Sequence, residues 1–146
     1  MKYSRYLDPE KSARAYGRDL QCSPRHAENV AKAIRKMKVK DAEKLLEDII
    51  KKRRPIPFRT HNTERAHKKG MGPGGYPVKA SQKILEVLKN AMNNAEYKGL
   101  DPENMIIAHI STYKGRIIEG YMPRAMGRSS AWNERTTNVE IIIEER

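Results

Sequence analysis

Thr112-Tyr-Lys-Gly-Arg-Ile-Ile-Glu-Gly-Tyr-Met-Pro-Arg-Ala-Met-Gly-Arg-Ser-Ser-Ala-Trp-Asn-Glu-Arg-Thr-Thr-Asn138 is the stretch whose reading decides the fold. Runs with strand character flank it on both sides. From Met105 to Tyr113, Ile106, Ala108 and Ile110 alternate with Ile107, His109 and Ser111. From Val139 to Glu144, Val139, Ile141 and Ile143 alternate with Glu140, Ile142 and Glu144. Two such runs joined by one connection predict an antiparallel hairpin, but hairpin loops usually hold about two to five residues, far fewer than stand here. The economical reading lets the strands continue outward as a two-stranded ribbon through Arg116, Ile117 and Ile118, with the turn between Pro123 and Trp132. At about 3.3 Å per residue, such a ribbon reaches roughly 35 Å from the sheet.

A ribbon of this kind does not stabilise itself, because two strands alone are marginal in water. It carries Lys114, Arg116, Arg124, Arg128 and Arg135 against only Glu119 and Glu134, with Tyr121, Met122, Met126 and Trp132 towards its end. It needs a partner that accepts cations along its length, meets aromatic faces near the end and surrounds it. Structured RNA does all three: guanidinium groups bind phosphates bidentately and aromatic rings stack on bases. The plainer alternative is a loose surface loop with a few charges.

The rest of the chain agrees with a polyanionic partner. Its 146 residues suit one domain, 33% of them are charged, and the formal net charge is +12 with a pI near 9.9. The charge is unevenly spread. Residues 1 to 73 hold 20 Lys and Arg against 9 acids, and residues 74 to 146 hold 10 against 9. Anionic membranes are the rival partner, but there is no long apolar run, signal peptide or strongly apolar amphipathic terminus, so a soluble, intracellular protein is expected. Cys22 stands alone, which excludes an intrachain disulfide or a cysteine metal cluster.

In order, Lys11 to Leu20 reads as a short extended segment or edge strand, although its alanines are poor strand formers. Ser23-Pro24 predicts the start of a helix running to about Met37, with Ala27, Val30, Ala31 and Ile34 inward and Arg25 among the cations outside. A second helix fits Val39 to Lys52, and Pro55 and Pro57 stop it. The segment from about 53 to 76 is basic and glycine-rich, carries Arg53, Arg54, Arg59, Arg65, Lys68 and Lys69, and has no apolar period. It is expected to be ordered only by something outside the fold. The third helix, Val78 to Lys98, has a continuous stripe of Ile84, Leu85, Leu88, Ala91, Met92 and Ala95. The sum is an α+β domain, three helices packed on a small antiparallel sheet, with a long protruding β-hairpin at about 112–138.

No catalytic constellation is evident: no Walker loop, dinucleotide fingerprint, Gly-x-Ser-x-Gly or paired histidines at metal spacing. Cys22 and His26, four residues apart, could face one another as thiol and base, but Cys22 just before the Ser-Pro cap reads as a small packed side chain, and His61 and His67 lack the companions a metal needs. Neither an enzyme nor a cofactor is called for.

Four segments resemble a known family, the universal large-subunit ribosomal protein called L twenty-two in bacteria and L seventeen in eukaryotes. They are Ser23-Pro24-Arg25-His26-Ala27; Asn94-Ala95-Glu96 with Gly99-Leu100-Asp101-Pro102-Glu103; Pro123-Arg124-Ala125-Met126-Gly127-Arg128; and Asn138-Val139-Glu140-Ile141. The basic segment after Arg53 resembles the insertion of archaeal and eukaryotic members, and the pattern as a whole is most similar to archaeal ones. The resemblance implies a non-enzymatic constituent of the large subunit in cytoplasmic ribosomes. Its partners would be large-subunit rRNA, neighbouring ribosomal proteins and the nascent polypeptide. It also implies a hairpin whose tip lies in the wall of the peptide exit tunnel. The rRNA contacts would come from Arg25, Arg53, Arg54, Arg59, Arg65, Lys68, Lys69, Lys114, Arg116, Arg124 and Arg128, and the tunnel tip would be Met126, Gly127, Arg128, Ser129 and Ser130. After Arg128 the chain departs from the family's usual alanine-threonine-proline type of continuation. A stand-alone regulator binding DNA or RNA is the alternative, but its basic residues would be expected on one recognition helix, and here they are dispersed.

Overall fold

Ile141 and Ile143, wholly buried, mark the centre of the molecule. They lie on β8 (Glu134–Glu145), the middle strand of a three-stranded antiparallel sheet with β1 (Ser12–Leu20) and β5 (Met105–Ile118) as its edges. The computed structural model describes residues 3–145. Register places Ala15 and Ile110 opposite Ile141, and Ala13 and Ile107 opposite Ile143. Strict alternation would put Ile107 and Ile110 on different faces. A bulge between Ile107 and His109 lets both reach the core, at 0% exposure.

Three helices cover that face: α1 (Pro24–Ile34), α2 (Val39–Ile50) and α3 (Val78–Tyr97). Their buried stripes meet the sheet through Ala27, Val30, Ile34, Leu46, Ile49, Ile84 and Leu88. Each large aliphatic side chain so buried contributes about 1.5–3 kcal/mol. The small residues that weaken β1 as a strand are explained by α3. A Cβ on Gly17 would lie 2.6 Å from Val87 Cγ2, so the helix packs where only small side chains fit. Ser23 occupies the N-cap of α1 as expected, yet its side chain makes no capping hydrogen bond. The helix ends at Ile34, short of Met37, because the next residues serve the sheet. Lys36 N donates to Ile107 O at 3.1 Å and Ile107 N to Met37 O at 2.9 Å, covering part of the β5 edge.

The basic segment after α2 corrects the expectation of order imposed from outside. It folds on the body as a miniature sheet, β2 (Ile56–Pro57), β4 (Gly72–Gly75) and β3 (His67–Lys68) in spatial order, with Gly70 and Gly72 at positive φ. Two apolar side chains outside any periodic pattern anchor it, Ile56 at 2% and Phe58 at 3% exposure. The buried Asn29 accepts the backbone N–H groups of Arg59 and Thr60 on Oδ1 and donates Nδ2 to the carbonyl of Thr60 at 2.9 Å. Irregular backbone is thus satisfied from within, by one amide on α1.

The far face of the sheet is covered by the lead-in from Tyr3 to Glu10. Arg14 lies between the rings of Tyr3 and Tyr6, and Ser4 reaches both Glu140 and His109. Burial works to raise the Glu140 carboxyl, but hydrogen bonds from Ser4, Tyr113 and His109 overcome it and hold the group below the usual carboxylate range.

Beyond the body, β5 and β8 continue as a ribbon to the pair Ile118–Glu134. After a break closed by Trp132 N donating to Gly120 O at 2.6 Å, pairing resumes between β6 (Tyr121–Pro123) and β7 (Ser129–Ala131). The protruding hairpin is present, with its turn inside the span read from the sequence.

Candidate nucleic-acid interface

The arm leaves the body at a clamp. β1 has a register shift between Gly17 and Leu20, and β5 has one between Lys114 and Ile117. Asp19, at φ 49°, fills the junction. Its Oδ1 accepts the N–H of Arg116 at 3.2 Å and the hydroxyl of Thr136 at 3.2 Å, while its own N–H donates to Asn138 Oδ1 at 2.7 Å. Thr136 also lies 2.8 Å from Arg116 O, so its single hydroxyl hydrogen is shared between two acceptors. The Arg116 N–H, the Thr136 hydroxyl and the guanidinium groups of Arg116 and Arg18 hold the Asp19 carboxyl below its ordinary range.

At the far end, a 3-10 turn at Ala125–Gly127 closes the hairpin, with Arg124 N donating to Arg128 O at 2.8 Å. Met126 and Gly127 both take left-handed φ, 59° and 67°. Glycine accepts this freely, whereas for methionine it costs on the order of 1–2 kcal/mol. Met126 is nonetheless 92% exposed, so the strain holds a large apolar side chain out in solvent. Ser129 is exposed, and Ser130 Oγ accepts Arg124 Nε at 3.0 Å. Among the described residues, neither Arg124 nor Arg128 is paired with a carboxylate.

The remaining cations fall into separate groups. Arg25 and Lys114 face a recess of about 840 Å³ at the arm's root, together with Lys79, Asn133 and Arg135. Arg54 and Arg59 line a second cleft, of about 480 Å³, with Lys32 and Arg35. Arg53 and Lys69 are exposed, Arg53 just after α2 and Lys69 in the β3–β4 turn. Arg116 is turned towards Asp19, 3.9 Å from its carboxylate. Two more residues read from the sequence as RNA contacts are also engaged within the protein. The Arg65 guanidinium stacks on Phe58 at 4.3 Å and bonds His26, and the Lys68 ammonium lies 5.5 Å from the Tyr76 ring. Burial, and secondly the charge of Arg65, lower the His26 imidazole's affinity for protons. Burial likewise pushes the Cys22 thiol up, as a packed thiol should be.

Lys79 was not singled out by the sequence reading, although a signal was present. Arg25 and Lys79 stand in the first turns of α1 and α3, where the helix dipole disfavours cations, and neither first turn holds an acid.

Among the described residues no group of three or more His, Cys, Asp or Glu side chains could hold a metal ion, and no helix is long and apolar enough to cross a membrane. What the body and its cationic arm define is an architectural protein, built to hold a shape against a partner. Residues 15–144 match the model of the family described as ribosomal protein L22p/L17e. The chain is 47% identical over 146 residues to the large ribosomal subunit protein uL22 of Methanococcoides burtonii, covering 99% of this chain and 97% of that one. It is 47% identical over 148 residues to the protein of the same name from Methanocaldococcus jannaschii, covering 99% and 95%. With the Methanopyrus kandleri uL22 the identity is 44% over 144 residues, covering 96% and 91%. The chain belongs to the ribosomal protein L22p/L17e family, in its archaeal form, a family of structural, non-enzymatic proteins.

Proposed function

We propose that this chain is a structural constituent of the large ribosomal subunit in the cytoplasm, that it binds large-subunit rRNA, and that it carries its hairpin tip into the wall of the peptide exit tunnel. The globular part sits against rRNA and neighbouring ribosomal proteins and supports assembly. Met126, Gly127, Arg128, Ser129 and Ser130 lie at the tip beside the nascent polypeptide. One observation carries this reading: a paired ribbon extends beyond the core, and its tip presents Met126 to solvent beside Arg124 and Arg128, neither of which is paired with a carboxylate among the described residues.

Arg124→Ala/Arg128→Ala tests it directly. Each substitution removes charge-assisted contacts worth about 1.5–3 kcal/mol, or roughly 10- to 150-fold in affinity. Incorporation of the tagged double variant into large subunits, followed on sucrose gradients, should fall strongly against the unaltered protein. Incorporation at the unaltered level defeats the assignment of the tip. For the isolated protein, affinity for rRNA should fall steeply with salt, by a slope of about 0.9 per duplex phosphate neutralised or about 0.7 per single-stranded one, and rRNA should outcompete duplex DNA.

A further inference from the structure

The recess at the arm's root exists because the sheet outruns its helices. Thr137 lies on the core side of β8, bonding the carbonyl of Cys22, and Lys114 is its partner across the ribbon. This face continues outward after the helices end, leaving a floor of ribbon and walls made by the beginnings of α1 and α3. The resulting hollow, about 840 Å³, is lined by Arg25, Lys79, Lys114 and Arg135, and by Asn133 and His26. Glu28 and Glu134 are the acids in the same lining, and Glu28 is already bound to Lys32 at 2.7 Å.

We infer that this hollow seats an unpaired RNA nucleotide, its phosphate held by Lys79, Arg25 and Arg135 and its base lodged against His26 and Asn133. The inference rests on the rRNA-binding reading above and specifies the form of RNA at one place. Three features select this occupant. The cations call for a phosphate, and the N–H groups that follow Pro24 in α1 and Val78 in α3, uncapped by any side chain, add to the same field. The lining also offers what a base requires, an amide for its hydrogen-bonding edge and an imidazole ring for stacking, whose affinity for protons burial lowers. Finally, the site is concave and of a volume suited to a single small ligand, whereas paired RNA presents a convex backbone with its bases turned inward.

The test uses the whole protein and two labelled probes, a 12-nucleotide oligouridylate and a 12-base-pair RNA duplex, titrated by fluorescence anisotropy. The variant is Lys79→Gln/Arg135→Gln, two exposed positions, with circular dichroism to verify the fold. The unaltered protein should prefer the single strand. The variant should bind it at least tenfold more weakly, with a salt slope smaller by about 0.7 for the one single-strand phosphate held in the hollow, and should lose the preference. Ultraviolet crosslinking should join uridine to a peptide containing His26. If both probes bind but the single strand is not preferred, or the variant loses equal affinity for both, the nucleotide seat is overturned while the rRNA-binding reading stands. Failure of the unaltered protein to bind either probe or rRNA overturns both.

Discussion

Gly115→Ala is the sharpest available probe of how the arm is held. Gly115 sits between the strands at the clamp, where an added Cβ would lie 2.3 Å from Thr136 Oγ1, 2.8 Å from Asp19 Oδ1 and 3.2 Å from the Thr136 carbonyl carbon. Its φ is not in the left-handed region, so the backbone itself tolerates alanine and the cost is purely contact. Thr136 is 2% exposed and has nowhere to retreat without giving up its bonds to Asp19 and the Arg116 carbonyl. Overpacking costs about 1–3 kcal/mol and a lost hydrogen bond about 0.5–1.5 kcal/mol, so a destabilisation of about 3 kcal/mol is expected. At about 2–4 °C per kcal/mol for a chain of this size, the melting temperature should drop by roughly 6–12 °C. Circular dichroism measures the drop, and amide hydrogen exchange locates it. Amides in 114–118 and 134–137 should lose protection, while those of α2 should keep theirs relative to global stability. A variant melting within about 1 °C of the parent, with unchanged exchange at those amides, would show that the clamp does not hold the arm.

Replacing residues 120–134 with a two-residue turn should leave the melting temperature nearly unchanged, because none of them is buried in the core cluster; a loss above about 1 kcal/mol, read from urea unfolding, would contradict this. Phe58→Ala should cost about 3–5 kcal/mol and release the segment that follows it, which limited proteolysis within 59–76 would reveal. Asp19, Glu28 and Glu140 all have carboxyls held below their ordinary range. The stability they supply is fully present above the unfolded carboxylate value near about 4, and is lost as pH falls through their lower folded values. Urea midpoints measured from neutral pH downwards should therefore fall steeply below about pH 4, and Glu140→Gln should flatten part of that fall; parallel curves for variant and parent would refute it.

The helices and the arm were legible because both rest on local patterns. α3 carries an uninterrupted apolar stripe, and the two strand runs flank a connection too long for a plain loop. The segment from about 53 to 76 was not legible, since its order comes from Ile56, Phe58 and one distant amide, Asn29, none of which leaves a period in the sequence. The same holds for its cations. Nothing in the order of residues reveals that Arg65 lies on Phe58 while Arg54 and Arg59 line a cleft. Residues 53–54 and 124–128 are read from charge and motif alone, and in the structure those arginines are exposed. The hollow at the arm's root leaves no trace in the order of residues, because its cations come from α1, α3 and both arm strands, which only the fold brings together.

A two-stranded ribbon has two open edges, and on this arm they run beside Ile117, Tyr121 and Trp132, all more than half exposed. Before it is docked, the same finger is therefore a template on which another copy could add as a further strand. Lys114, Arg116, Arg124, Arg128 and Arg135 keep copies apart by repulsion, a protection that reaches only about 10 Å in 0.1 M salt and shortens as salt is raised. Raising the salt concentration is therefore expected to bring free copies together edge to edge, and low salt to keep them apart.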